Sequence, residues 1–160
     1  MSSGALLQRA EACRQAALDE EKERDTFEEL RKQAMAAGRK KDAFLLKKEW
    51  DEADGRARVL HAKADERHFR ARNVPSDLEN IDLRYLSIPE ARRRLEARVR
   101  DVLAQDGTRI RVRVGGGTGN TIDKAYVLTH ALVEAMSDHH IQAEADRDDR
   151  QYVVVTLPSS

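Results

Sequence analysis

Arg109-Ile110-Arg111-Val112-Arg113-Val114-Gly115-Gly116-Gly117-Thr118-Gly119-Asn120 decides how the second half of this chain is read. Its first six residues alternate with period two. In a strand this puts Arg109, Arg111 and Arg113 on one face and Ile110, Val112 and Val114 on the other. The aliphatic face belongs against a core and the arginine face in water. A glycine-rich turn follows, and a helix is predicted from about Thr121. Such a loop at a helix N-terminus leaves backbone N–H groups without helical partners. With arginines beside it, the arrangement suits a polyanion better than an apolar ligand.

Outward from this stretch the pattern continues on both sides. Ile81 to Leu86 predicts a short strand. Ser87-x-x-Glu90, with Pro89 in the first turn, opens a helix with a capping box. That helix is expected to bury Ile88, Ala91, Leu95, Val99 and Val102, and Gly107 helps the chain turn into the arginine strand. Downstream, a helix to about Ser137 should bury Ile122, Ala125, Leu132, Val133 and Met136. Ile141 to Asp146 and Tyr152 to Leu157 predict two further strands around the polar turn Arg147-Asp148-Asp149-Arg150. The order is β-α-β-α-β-β. Helices between successive strands imply right-handed crossovers. The expected product is a two-layer α/β sandwich: a mostly parallel four-stranded sheet with helices on one face and the other face open.

The chain changes character near Pro75. Residues before Asn73 are almost free of β-branched side chains and rich in Ala, Glu, Lys, Arg and Leu, a composition of long helices. One helical stretch runs from about Ala5 to Ala37. Leu6, Ala10, Cys13, Ala17, Phe27, Leu30, Ala34 and Met35 approximate its apolar stripe. The acidic run Asp19 to Asp25, with Thr26-x-x-Glu29 resembling a capping box, is a candidate break. Gly38 is placed to end this helix. A second stretch runs from about Asp42 to Ala71, with Phe44, Leu45, Trp50, Ala53, Ala57, Leu60, Ala64 and Phe69 able to line one face. The fold class is therefore α+β: a long-helix hairpin over residues 1–73, a linker over 74–77 and an α/β domain over 78–160.

Charged residues make up 36% of the 160, yet the net charge is zero. The chain as a whole is not a basic nucleic-acid binder, so any attraction to phosphate must come from local clustering. The single cysteine, Cys13, cannot form an intramolecular disulfide and reads as a small, half-buried apolar residue. No apolar run is long enough for a membrane span and no signal-peptide core is present. A cytoplasmic protein without a membrane partner is the expectation.

The second half resembles the Smr (small MutS-related) domain over roughly Leu78 to Leu157. The residues that carry the resemblance are Ile81-Asp82-Leu83-Arg84-Tyr85-Leu86 followed by Glu90-Ala91, the loop Gly115 to Gly119, and the closing aliphatic strand Tyr152 to Leu157. Leu30-Arg31, Ala34, Phe44 and Arg70-Ala71-Arg72-Asn73 are similar to the helical region that often precedes such domains. Three departures stand out: Arg84 replaces the histidine of many members, Tyr85 the usual glycine, and Gly119-Asn120 the His-Ser pair of some branches.

Smr domains bind nucleic acid, and several cut RNA or branched or nicked DNA. The resemblance implies that Asp82 and Arg84 form the catalytic pair. Arg84 would neutralise charge on a scissile phosphate, while Asp82 would orient a nucleophile or Arg84 itself. A carboxylate with an ordinary pKa of about 3.9 is a weak base. Arg111, Arg113, Gly115, Gly116, Gly117, Thr118, Gly119, Asn120 and Lys124 would bind the nucleic acid. Residue chemistry alone also accommodates a surface ion pair at Asp82–Arg84 and a solvated basic face on the strand. Arg92, Arg93, Arg94, Arg98 and Arg100 read mainly as a solvated helix face. His61 and His68 read as a surface pair, and His139-His140 as a loop pair with no third metal ligand. The expected function is an endonuclease on RNA or on branched or nicked DNA, with no cofactor named and magnesium dependence open. The alternative is a catalytically silent RNA-binding or ribosome-linked adaptor whose hairpin recruits a protein partner. A third reading is a helical scaffold with no affinity for nucleic acid.

Overall fold

Alanine, rather than leucine or phenylalanine, builds the interior of the first half. The computed structural model describes residues 2–159. Helix α1 (Ser3–Ala36) is capped by Ser2, whose hydroxyl accepts from the Ala5 amide at 3.2 Å. It is continuous through the acidic run. Thr26 does not cap a new helix there; its hydroxyl donates back to the Lys22 carbonyl, four residues earlier. Gly38, at φ 74°, ends α1 as expected. The Arg39 amide donates to Ala34 O and the Gly38 amide to Met35 O, the two bonds of a left-handed helix stop.

Helix α2 (Lys40–Arg72) returns antiparallel to α1. Arg14 pairs with Asp65 at 2.5 Å, Glu20 with Arg56 at 3.0 Å and Arg24 with Asp54 at 3.0 Å, so partner numbers fall as α1 numbers rise. Between these rim pairs Ala10, Ala17, Ala34, Ala43, Ala53, Ala57 and Ala64 are buried. Methyl-sized side chains fill a narrow seam, and long charged side chains close its edges. The stripe expected of the hairpin loses its large members: Phe44 is 74% exposed, and Leu30, Met35 and Leu45 are exposed as well.

The chain divides into two compact units between Arg67 and His68. The last turn of α2 therefore belongs with the second unit, whereas the expected hairpin region ran to residue 73. This unit contains β1 (Asn80–Asp82), α3 (Ile88–Ala104), β2 (Arg109–Arg113), α4 (Ile122–Asp138), β3 (Gln142–Ala145) and β4 (Tyr152–Thr156).

The sheet order is β1-β2-β4-β3. β1 pairs parallel with β2, but β4 is antiparallel to both β2 and β3. The sheet is thus mixed, not mostly parallel. The reason is the short turn after Ala145: it sends β4 straight back along β3, and β4 fills the place between β3 and β2. Nor do the helices of the chain all lie on one face of the sheet. The apolar face carries α3 and α4, whereas α1 pairs with α2 in the first unit.

Alternation sorts the sheet residues. Ile110 opposes Val155 and Val112 opposes Val153, all fully buried among Leu95, Val99, Val102, Leu132 and Met136. Arg109, Arg111 and Arg113 oppose Thr156, Val154 and Tyr152 on the other face. Ile122, expected in the core, is exposed. Arg98, expected on a solvated helix face, is buried. Its Nη1 donates to the carbonyls of Asp77 and Asn80 at 2.8 Å and of Leu78 at 3.3 Å, clamping the approach to β1. Burial pushes its pKa below the ordinary arginine value.

Candidate nucleic-acid interface

β1 is shorter than the expected Ile81–Leu86 because the backbone turns at Tyr85, whose φ is 69°. This is a left-handed conformation that glycine adopts freely and tyrosine does not. The backbone here has a shape suited to glycine, under a tyrosine side chain. Leu83 and Leu86 remain in the core on either side of the turn.

Asp82 and Arg84 meet as expected. Arg84 Nε lies 3.0 and 3.1 Å from the two Asp82 carboxylate oxygens and Nη2 lies 2.7 Å from Oδ2. The Arg84 amide also donates to Oδ1 at 3.1 Å. The side chains of Arg84 and Asp82 are only 10% and 13% exposed. Both carboxylate oxygens are therefore occupied by Arg84, and this pairing holds the guanidinium above its ordinary pKa. Arg84 Nη1 reaches across to the Gly116 carbonyl at 3.1 Å. In this arrangement Asp82 aims Arg84, and Arg84 ties β1 to the glycine loop.

Three further residues complete the support. The Asn73 side-chain amide donates to Asp82 O at 2.9 Å and accepts from Asp82 N at 2.8 Å. It imitates a neighbouring strand along the outer edge of β1. The Tyr85 hydroxyl donates to Thr118 O at 2.8 Å. The Tyr85 ring stacks on His68, with centroids 5.4 Å apart, and the Arg72 guanidinium carbon lies 4.2 Å from its centroid. His68 is 1% exposed, which overturns its reading as half of a surface pair. Sequence reasoning did not assign Asn73, His68 or Arg72 to the site. The only signal was the run Arg70 to Asn73, which marks the end of a helix without showing what it packs on.

The loop itself has a consistent sense. Gly116, Gly117 and Gly119 all have positive φ. The Gly116 carbonyl accepts from Arg84 and from Asn120 Nδ2, and the Gly117 carbonyl from the Asn120 amide. The Thr118 carbonyl accepts from Tyr85 and the Gly119 carbonyl from Lys124 Nζ at 3.2 Å. Four successive carbonyls are thus held by protein donors. The amides of Gly116, Gly117, Thr118 and Gly119 donate to no acceptor among the described residues. α4 begins immediately beyond, with Thr121 as N-cap accepting from the Lys124 amide. A Cβ at Gly117, whose φ is 93°, would crowd the Tyr85 hydroxyl and Arg84 Nη1, so a side chain there would strain the backbone and displace both tips.

On the open sheet face Asp82, Arg113 and Tyr152 occupy one rung. Arg113 Nε donates to Gly115 O at 3.3 Å, which puts this side chain at the loop. Arg111 lies farther along the strand. Its guanidinium carbon sits 3.7 Å from the Tyr152 ring centroid, and Nη2 is 3.6 Å from Asp146. It borders a hollow of about 500 Å³ lined with Glu79, Asn80, Thr108, Arg109 and Asp146. Of the sequence candidates, the structure gathers Asp82, Arg84, Arg113, Gly115 to Asn120 and Lys124 around the loop and leaves Arg111 beside that hollow.

Among the described residues no cluster of three or more His, Cys, Asp or Glu is placed to hold a metal ion, and no helix is long and apolar enough to cross a membrane. Comparison with protein-family models, curated proteins and solved structures finds no significant match.

Proposed function

We propose that residues 78–157 are an Smr-type domain that binds the phosphate backbone of RNA through the glycine loop. One observation carries this reading. The loop turns four carbonyls toward protein donors and leaves four amides unused, at the start of a helix and beside Arg113 and Lys124. Oriented amides at a helix N-terminus favour an anion, and two nearby cations add to the same field. The order β-α-β-α-β-β agrees with the resemblance. The zero net charge makes binding local, with few phosphates contacted.

The occupied Asp82 carboxylate favours binding over cutting as the basal activity. Cleavage is kept as a second reading on one ground: the Asp82–Arg84 pair touches the loop at Gly116, where a bound phosphate would lie close to the guanidinium. The hairpin is assigned, on the same proposal, to a protein or ribosomal partner.

The test is equilibrium binding of labelled single-stranded and structured RNA and DNA, with and without magnesium. The wild type is expected to bind RNA, and Lys124→Ala with Arg113→Ala to weaken it. Single-turnover assays with Asp82→Asn address cutting: if the wild type cuts, this variant should bind but not cut. A wild type that binds no nucleic acid contradicts the proposal.

A further inference from the structure

We propose that Tyr126 and Ile122 of α4 form a platform for unpaired bases, so that the ligand of the glycine loop is single-stranded. This inference rests on the phosphate-binding reading above. Ile122 is 88% exposed and Tyr126 72%, and Val127 beside them is exposed too. The core side of α4 is filled by Leu128, Ala131, Leu132, Ala135 and Met136, so the fold does not need the outer pair.

Their position supplies the occupant. Ile122 follows the N-cap directly, and Tyr126 lies four residues on, on the same helix face and about 6 Å away. Lys124, in the same turn, reaches back to the Gly119 carbonyl. A strand whose phosphate rests on the loop amides runs past Ile122 to the Tyr126 ring just beyond the N-cap, while Lys124, on the opposite side of the helix, stays at the loop. Bases stack on such rings whatever their sequence, because every base has a π-face. A duplex keeps those faces inside its own stack, so the platform serves only an unpaired strand. A protein partner is the poorer fit. Three apolar side chains around one turn are few beside the roughly 20–30 residues that each side of a stable protein interface uses.

The experiment compares three short oligomers of equal charge: single-stranded RNA, the corresponding duplex, and an abasic strand. Each is titrated against the full chain and its Tyr126→Ala, Tyr126→Phe and Lys124→Ala variants at one salt concentration. Tyr126→Ala should weaken the base-bearing strand about tenfold and leave the abasic strand unchanged, while Tyr126→Phe should retain wild-type affinity. Lys124→Ala should weaken all strands alike. If Tyr126→Ala changes nothing while Lys124→Ala weakens binding, the loop reading stands and the platform is wrong; the face would then belong to a protein. Equal loss on base-bearing and abasic strands also overturns the platform. A wild type that binds no oligomer removes the phosphate reading itself, and the platform with it.

Discussion

The Tyr85 hydroxyl donates to the Thr118 carbonyl at 2.8 Å, from a residue whose backbone sits at φ 69°. The contact joins the end of β1 to the glycine loop and is the counterpart of the Arg84–Gly116 bond. A left-handed conformation costs a non-glycine residue about 1 kcal/mol. The ring offsets this through its stack on His68 and its contact with Arg72. Tyr85→Phe should keep the stack and lose the bond. We expect a loss of about 0.5 kcal/mol in urea unfolding and faster hydrogen exchange in residues 116–119.

Asn73→Ala should cost about 1 kcal/mol, because it strips two hydrogen bonds from the backbone of Asp82. The Asp82 amide should lose protection from hydrogen exchange more than the neighbouring core amides. Asn73→Asp keeps the acceptor and loses the donor, and should fall between the two.

Arg98→Met preserves much of the side-chain volume but leaves three carbonyls without their donor. The expected loss is about 2 kcal/mol, read as a lower urea midpoint at unchanged slope. An exposed neighbour, Arg100→Met, should be neutral.

Glu90 accepts from Arg93 at 2.6 Å and Arg94 at 2.8 Å, and the Arg93 bond is the main reason its pKa is lowered. A carboxylate with a lowered folded pKa adds stability above its unfolded value, and that stability is lost as pH falls through the folded value. The pair is partly solvated, so the contribution is a few tenths of a kcal/mol. Glu90→Gln should be slightly less stable than wild type at neutral pH, and the gap should close below about pH 4.

Periodicity made the open sheet face legible, since alternation from Arg109 to Val114 assigned every side chain to the face it occupies. Gly38 and Thr121 likewise announced their helix ends through local backbone chemistry. Sheet direction was not legible in the same way. The crossover rule governs β1-α3-β2, whereas β4 is placed by a turn and by competition for a neighbour. The hairpin interior misled for a related reason: large apolar residues draw the eye, but a seam between two close helices takes alanine. Near the loop, the run of glycines was legible as a turn and period two put Asp82 and Arg84 on one face; their choice as a pair came from the resemblance. Asn73, His68 and Arg72 act through contacts between segments distant along the chain, and no local pattern encodes that.

The most direct test of phosphate binding at the loop is the salt dependence of RNA affinity, measured for the wild type and for Arg113→Ala with Lys124→Ala. Each phosphate contact releases about one counterion, so the log–log slope reports contacts rather than overall charge. The account predicts that the double variant binds more weakly and that its slope is shallower by about 1.4 units, roughly 0.7 for each cation removed from a single strand. A folded double variant with wild-type affinity and an unchanged slope would contradict it and place the binding surface elsewhere.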